Sequence, residues 1–321
     1  MTTQLNAMLS GTFVSAGTLL PISLPTGYDS IELINITDIG SAAAATPVMK
    51  ARGTSAMASG SAYYSTKTNG AATCDLEITT STGGFTFIQD SGALGLGANV
   101  AITAITNANP AVVSTGTTPL VGSVVRIYSP TAMLQAGGID YTVTAVNPGV
   151  SMSLGYLNAA GFLAAATAGS YRVVPADPRF YPRSRTITAI SQAASAVIQL
   201  SVTHGYTVGQ QVRILVSADY GMTEINNQLA TITAINTGTN TITVNIDTTG
   251  YSAFAYPTSA IAALGVTQPQ IVPVGEAAVT PYGNLLDDAT INASFAGVVI
   301  GTTVQTTGKT YQWFARRGQP V

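Results

Sequence analysis

The chain has 321 residues, and 12 Lys or Arg with 14 Asp or Glu make a charged fraction of 8%, against roughly 25% in an ordinary soluble domain. Because 46% of the residues are hydrophobic, there is enough apolar material for substantial cores, which excludes disorder along the whole chain. The net charge of −2 excludes the basic surface that binding to nucleic acid or to acidic membranes requires.

Cys74 and His204 are the single cysteine and the single histidine. One cysteine cannot form an internal disulfide, and two such distant residues do not make a structural zinc site. The opening MTTQLNAMLSGTF has no basic or continuous apolar region of a secretory signal, so synthesis in a cytoplasm is expected. The most apolar window, 155–169, is interrupted by Asn158 and by glycines and is shorter than the roughly 20 residues of a membrane span.

The first predicted unit is an N-terminal β domain at 1–97. Apolar and polar side chains alternate at 74–78, and a short apolar strand is predicted at 31–36. Such alternation is typical of a half-buried antiparallel strand. Apolar stripes at helical spacing, flanked by charge, are scarce along the whole sequence, so the fold class is predicted to be all-β.

Two tandem β repeats are predicted next, at 98–178 and 179–264. The first copy contains ITAIT, VGSVVRI and YTVTAV, and the second contains ITAIS, VGQQVRI and ATITAI in the same order. The conserved order of these blocks predicts two barrel or sandwich modules of one topology, with Arg126 and Arg213 on equivalent strands.

The segment between the two repeats, VPADPRFYPRSR at 174–185, is predicted to be an extended linker because three prolines stiffen it. Aromatic and arginine side chains are favoured at the centres of interfaces. Four residues of this segment are therefore candidate interface residues: Phe180, Tyr181, Arg183 and Arg185. The alternative is a solvated linker whose charges keep the chain soluble.

The last predicted unit is a C-terminal β segment at 265–321. Its apolar strand at 311–314 is expected to pair with 31–36 in one terminal β-sandwich, because either strand alone would leave an open edge. The two repeats are then inserted into this sandwich. Aromatic and arginine residues near the end complete the candidate interface: Tyr311, Trp313, Phe314, Arg316 and Arg317. Taken by itself, Trp313, flanked by Tyr311 and Phe314, is most simply a core aromatic, and an exposed platform for carbohydrate is the alternative.

Three blocks of the second repeat form a recognisable pattern: HGYTVGQQVRI at 204–214, GMTEIN at 221–226 and DTTGYS at 247–252. They resemble the first catalytic-cysteine half-domain of ubiquitin-activating enzymes, a module type also frequent in tailed-phage structural proteins. Gln210 replaces the usual acidic residue, and the first repeat lacks the His-Gly and Gly-Met blocks. The resemblance does not imply ubiquitin activation, whose adenylation domains and acceptor thiol lie outside this module. It implies a virion structural protein.

Residues with catalytic potential are few. His204, before a glycine, is interpreted as a turn residue whose ring bonds a nearby carbonyl rather than as a general base. The adjacent pair Asp287 and Asp288 favours a turn or helix cap over a carboxylate pair for a cation or a glycosidic bond. The glycine-rich segment 92–97 lacks the Lys-Ser/Thr of a phosphate loop. We predict no catalytic, cofactor-binding or metal site.

The functional hypothesis is a non-enzymatic component of a phage virion, made in the bacterial cytoplasm, with a capsid-decoration or head-associated role. The alternatives are a tail-tube, nozzle or fibre component, or a carbohydrate-binding adhesin. Expected partners are copies of the chain, in a homo-oligomer, and major capsid or tail proteins, with neither nucleic acid nor membrane. A β surface of low charge suits a lattice because it limits repulsion between identical copies.

Overall fold

The computed structural model describes residues 8–39, 46–67, 74–81, 83–88, 96–176, 181–257, 268–276 and 296–318. Within these ranges the regular elements are β-strands and three 3-10 turns of three residues each, which confirms the all-β fold class. In the same ranges, no helix is long and apolar enough to cross a membrane.

A terminal domain is built from both flanks of the sequence. Its larger sheet has six strands, in spatial order β1 (Met8–Val14), β22 (Thr310–Arg317), β3 (Tyr28–Asn35), β4 (Val48–Thr54), β5 (Ala62–Lys67) and β6 (Cys74–Thr79). Its smaller sheet has three, in the order β2 (Leu20–Ser23), β21 (Gly297–Ile300) and β7 (Phe85–Ile88). Apolar side chains of both sheets share one core. The predicted pairing of the flanks in a terminal sandwich is therefore confirmed.

The second repeat forms a closed six-stranded barrel. The strands follow one another around it as β15 (Arg185–Ile190), β16 (Val197–Leu200), β19 (Thr241–Val244), β18 (Leu229–Asn236), β17 (Gln211–Leu215) and β20 (Gln270–Pro273). Strand β20 lies beyond the predicted boundary at residue 264, but it pairs with both β15 and β17 and closes the barrel. Strand pairing thus extends this module to Pro273.

The first repeat forms a seven-stranded sheet of matching connectivity. Its spatial order is β8 (Val100–Ile102), β14 (Gly169–Val174), β11 (Val124–Tyr128), β12 (Asp140–Asn147), β13 (Ser151–Leu154), β10 (Ala111–Ser114) and β9 (Ala104–Ile105). The two end strands are separated in sequence only by Thr103. They are therefore two halves of one bent strand, through which the sheet curls back on itself; we call this curled sheet the first barrel and the closed barrel of the second repeat the second barrel.

The two repeats share strand pairing as well as sequence blocks. Strand β11 lies between β12 and β14 just as β17 lies between β18 and β20. Each repeat also has a register shift at the same place, between Val143 and Ala145 in one and between Ile232 and Ala234 in the other. Arg126 on β11 and Arg213 on β17 therefore occupy equivalent strands, as predicted.

Candidate functional site

The three modules meet at one junction. The backbone N–H of Thr142 donates to the carbonyl of Ser201 across 3.0 Å, which joins the two barrels. The backbone N–H of Thr203 donates to the hydroxyl oxygen of Thr142 across 3.0 Å. Strand β1 of the terminal domain passes so close to the second barrel that a Cβ on Gly11 would lie 2.0 Å from the carbonyl of Val274. The junction is thus held by backbone contacts as well as by side chains.

The linker is part of this junction rather than a solvated spacer. Tyr181 is 9% exposed and Arg183 is 8% exposed. The ring of Tyr181 packs in a small apolar cluster with Val124 and Val174 of the first barrel and Val202 of the second. The interpretation as a solvated linker is therefore wrong at these positions, because the chain's own modules cover them. Phe180 lies outside the described residues.

A buried ion pair stands on the outer face of the first barrel. The guanidinium of Arg126 donates from Nε to Oδ1 of Asp140 at 2.5 Å and from Nη2 to Oδ2 at 3.0 Å. Burial disfavours the charged guanidinium, but the charge and hydrogen bonds of Asp140 outweigh burial and raise the pKa of Arg126. The hydroxyl of Tyr181 donates to Oδ2 of Asp140 at 2.5 Å, which ties the linker to the pair.

A second buried pair connects the linker to the terminal domain. Arg183 lies 3.4 Å from Oε1 of Glu276, and the Glu276 side chain is almost fully buried. Oε2 of Glu276 accepts a bond of 3.3 Å from the backbone N–H of Ser23. Burial raises the pKa of Glu276, and the charge of Arg183 opposes that rise.

Between the modules lies a cavity of about 370 Å³. Its walls come from the terminal domain, both barrels and the linker. Apolar side chains from three of these units form part of the lining: Phe13, Leu20, Val124 and Val202. Side chains able to donate hydrogen bonds form another part: Arg183, Arg185, His204, Thr207 and Gln210. We call this space the junction cavity.

The loop 204–210 supplies the most unusual groups of the junction cavity. Nδ1 of His204 accepts from the backbone N–H of Tyr206 at 3.3 Å, and the two rings stack with centroids 5.7 Å apart. The prediction that this ring bonds a carbonyl is therefore wrong. Burial, together with the charge of Arg185, lowers the pKa of His204. In the described chain, Nε2 of His204, Oγ1 of Thr207 and Nε2 of Gln210 are buried without a hydrogen-bond partner.

The C-terminal candidate interface residues do not join the linker residues in one surface. Tyr311 and Trp313 are buried in the core of the terminal domain, so their expected role as partner anchors is wrong. Alternation along β22 turns both rings inward and leaves Phe314 half-buried on the other face. Arg316 and Arg317 are exposed; the former lies 3.9 Å from Glu32. Arg317 covers the ring of Tyr28.

The sequence did not predict the exposed apolar side chains at one edge of the larger sheet of the terminal domain. In the described residues β6 pairs only with β5, so its other edge is open. Leu76 is 76% exposed, Ile78 is 63% exposed, and Tyr63, which lies opposite Ile78, is 48% exposed. The alternation at 74–78 predicted a buried apolar face, but Leu76 and Ile78 of that face lie outside. We call Tyr63, Leu76 and Ile78 the β6 surface.

Other residues with predicted chemical roles add no site. Asp287, Asp288 and residues 92–95 of the glycine-rich segment lie outside the described residues. Across the described ranges, no group of three or more His, Cys, Asp or Glu side chains is placed to hold a metal ion. No protein-family model matches the chain, and no curated protein matches it.

Proposed function

We propose that this chain is a structural component of a tailed-phage virion, in a capsid-decorating or head-associated role, and that the terminal domain attaches it. The observation that carries the proposal is the β6 surface, where three large side chains are exposed beside a strand edge that no strand of the described ranges pairs with. Proteins that remain alone usually protect such an edge with charge, proline or a covering segment. The β6 edge carries carboxylates but no proline, and an apolar edge strand of this kind favours addition of a strand or sheet from a neighbour.

The occupant proposed for the β6 surface is an apolar β surface of a different virion protein, the major capsid protein. Glu77 lies between Leu76 and Ile78 on the same strand and accepts hydrogen bonds from Tyr64 at 2.6 Å and Thr66 at 3.0 Å. Two identical β6 edges paired together would bring two such carboxylates near each other. Like charges on directly opposed strands destabilise pairing, which favours a partner of different sequence.

The remainder of the molecule supports a mechanical role. The buried Arg183–Glu276 pair, the hydrogen bond from Tyr181 to Asp140 and the packed linker hold the barrels and the terminal domain together, which makes relative motion of the modules costly. A rigid projection fixed at one domain is what a decoration protein requires. The low fraction of charged residues, 8%, limits repulsion between copies that stand side by side.

The test is to purify virions from the source culture by density gradient and to quantify this chain by mass spectrometry. A double variant, Leu76→Lys with Ile78→Lys, should fold with unchanged thermal unfolding but be absent from the particles. The matched control is Leu229→Lys with Ile235→Lys, which places the same charges at two exposed apolar positions of the second barrel. The control should be incorporated at the wild-type level.

Two outcomes would overturn the proposal. The first is absence of the wild-type chain from purified particles. The second is equal incorporation of both double variants, which would remove the β6 surface from the attachment. Immunogold labelling of intact particles separates the roles: label on heads supports decoration, whereas label confined to tails would replace it with the tail-component alternative.

A further inference from the structure

The junction cavity combines an apolar wall with hydrogen-bond donors that have no partner among the described residues. We propose that it is a binding site for a small organic carboxylate, whose charged end meets Arg185 and the loop 204–210 and whose apolar body lies against Phe13, Leu20 and Val202. Its volume of about 370 Å³ falls in the range of small-molecule sites. This inference is independent of the virion role.

The first argument is the hydrogen-bonding state of the loop. Because Nδ1 of His204 is an acceptor, the neutral ring carries its proton on Nε2, which is then a donor. The Oε1 atom of Gln210 accepts from the backbone N–H of Thr207 at 3.4 Å, which leaves its amide Nε2 as a second donor. The hydroxyl of Thr207 is a third. Folded proteins retain few buried polar groups without partners, so three in one loop indicate an acceptor that is still to be supplied.

The second argument is the charge at the cavity. Arg183 is neutralised by Glu276. Arg185, in contrast, donates to the carbonyls of Pro182, Ser184 and Thr203, and no carboxylate of a described residue pairs with it. Its guanidinium also lies over the ring of Tyr181, 5.2 Å from the centroid, which fixes its position. A cation held by neutral groups favours an anionic ligand.

The third argument separates a carboxylate from other acceptors. A neutral alcohol or amide would leave the charge of Arg185 without a counter-charge. An inorganic anion would leave the apolar wall of Phe13, Leu20 and Val202 without contact. A molecule with one carboxylate and a compact apolar body matches both halves of the lining.

The probe is benzoate, titrated into the full chain by isothermal calorimetry, with benzyl alcohol as the neutral molecule of nearly the same shape. Benzoate should bind in the millimolar range or tighter, and benzyl alcohol at least about tenfold more weakly. Saturation-transfer NMR on the same samples should show the aromatic protons of benzoate in contact with the protein.

The location is tested at a glycine on the cavity wall. A Cβ on Gly205 meets no atom within 4 Å, so Gly205→Trp introduces bulk at the cavity without a direct clash. Gly250 in the same barrel has equally open surroundings and is not a lining residue, so Gly250→Trp is the matched control. Gly205→Trp should weaken benzoate binding by at least about tenfold, and Gly250→Trp should leave it unchanged.

The role of the loop is tested with His204→Phe, which keeps a ring in place but removes the Nε2 donor and the Nδ1 acceptor of the Tyr206 N–H. We expect a lower thermal unfolding temperature and, at a temperature where circular dichroism shows the variant folded, weaker benzoate binding. Three results would overturn the proposal: no binding of benzoate in the millimolar range, equal binding of benzoate and benzyl alcohol, or equal effects of the two tryptophan variants. Incorporation into virions is measured separately, so failure here leaves the proposed function standing.

Discussion

Arg126 and Arg213 occupy equivalent strands of the two barrels, yet only Arg126 is buried in a bidentate pair with an aspartate. Arg213 instead donates to the side-chain oxygen of Asn227 at the surface, across 2.7 Å. The outer face of β11 is covered by the linker and the second barrel, whereas that of β17 is partly open. The arginine of the matching VGSVVRI and VGQQVRI blocks is therefore buried in one repeat and lies at the surface in the other.

This difference predicts unequal effects of the same substitution. Arg126→Met leaves the carboxylate of Asp140 buried without its counter-charge, and we expect a loss of about 3–5 kcal/mol in the free energy of unfolding. Arg213→Met removes a surface hydrogen bond and should change that free energy by about 0.5 kcal/mol or less. Urea unfolding followed by circular dichroism measures both. Similar losses would contradict the burial difference described here.

Tyr181 is predicted to stabilise the junction through its hydroxyl. Tyr181→Phe keeps the ring in its apolar cluster but removes the donor to Asp140. Because a hydrogen bond to a charged group contributes more than a neutral one, we expect a loss of about 1.5–3 kcal/mol. The control is Tyr63→Phe at an exposed position, which should be neutral in urea unfolding. A neutral Tyr181→Phe would show that the linker is held by packing alone.

His204 predicts a specific dependence of stability on pH. Its folded pKa is lowered, so below the unfolded value of about 6.5 the unfolded chain takes up a proton first. The contribution of neutral His204 is therefore full above pH 6.5 and is lost as the pH falls from there toward the folded pKa. In His204→Gln the fall in the free energy of unfolding that comes from protonation of His204 on acidification should disappear. The raised pKa of Glu276 acts with the opposite sign but is common to both proteins, so it cancels in the difference.

The measurement is urea unfolding of wild type and His204→Gln at a series of pH values from neutral to mildly acidic. The difference in free energy of unfolding between the two proteins should be largest at neutral pH and shrink on acidification. A difference that stays constant would mean that His204 has the same pKa in the folded and unfolded chains.

Gly11 is predicted to be required for the contact between the terminal domain and the second barrel. A Cβ there would lie 2.0 Å from the carbonyl of Val274 and 2.8 Å from Nε1 of Trp313. Gly11→Ala therefore forces β1 away from the barrel, and we expect a cost of about 1–3 kcal/mol. Gly116→Ala is the control, because a Cβ there meets no atom within 4 Å. Differential scanning calorimetry measures the two shifts, and equal shifts would argue against the close approach.

Much of the fold was predictable because the alternation of apolar and polar side chains along a strand indicates which face is buried. The alternation at 241–246 places its apolar side chains inside the second barrel, and the matching blocks of the first repeat do the same. The pairing of the two flanks was predictable from the need to close an edge. The position of β20 was not, because residues 245–269 separate this four-residue strand from the preceding strand of its barrel, and so short a strand has no local signal.

The junction was predicted only in part. Aromatic and arginine content marked Tyr181 and Arg183 as contact residues, but composition does not say whether the contact lies within the chain or with a partner. For Trp313 the sequence favoured a place in the core, and its inward-facing position on β22 confirms this. The junction cavity is formed by residues as distant in sequence as Phe13, Val124 and Val202, which no single segment identifies.

The placement of β22 between β1 and β3 has a consequence for the order of folding. Both barrels consist of strands from 100–273 and can form on the ribosome as soon as that stretch has emerged. The terminal sheet lacks the strand that joins β1 to β3 until residues 310–317 have been synthesised. The β6 surface therefore becomes part of a stable domain only after the barrels exist. Translation therefore completes the terminal domain last, after the strands of both barrels are already available for folding.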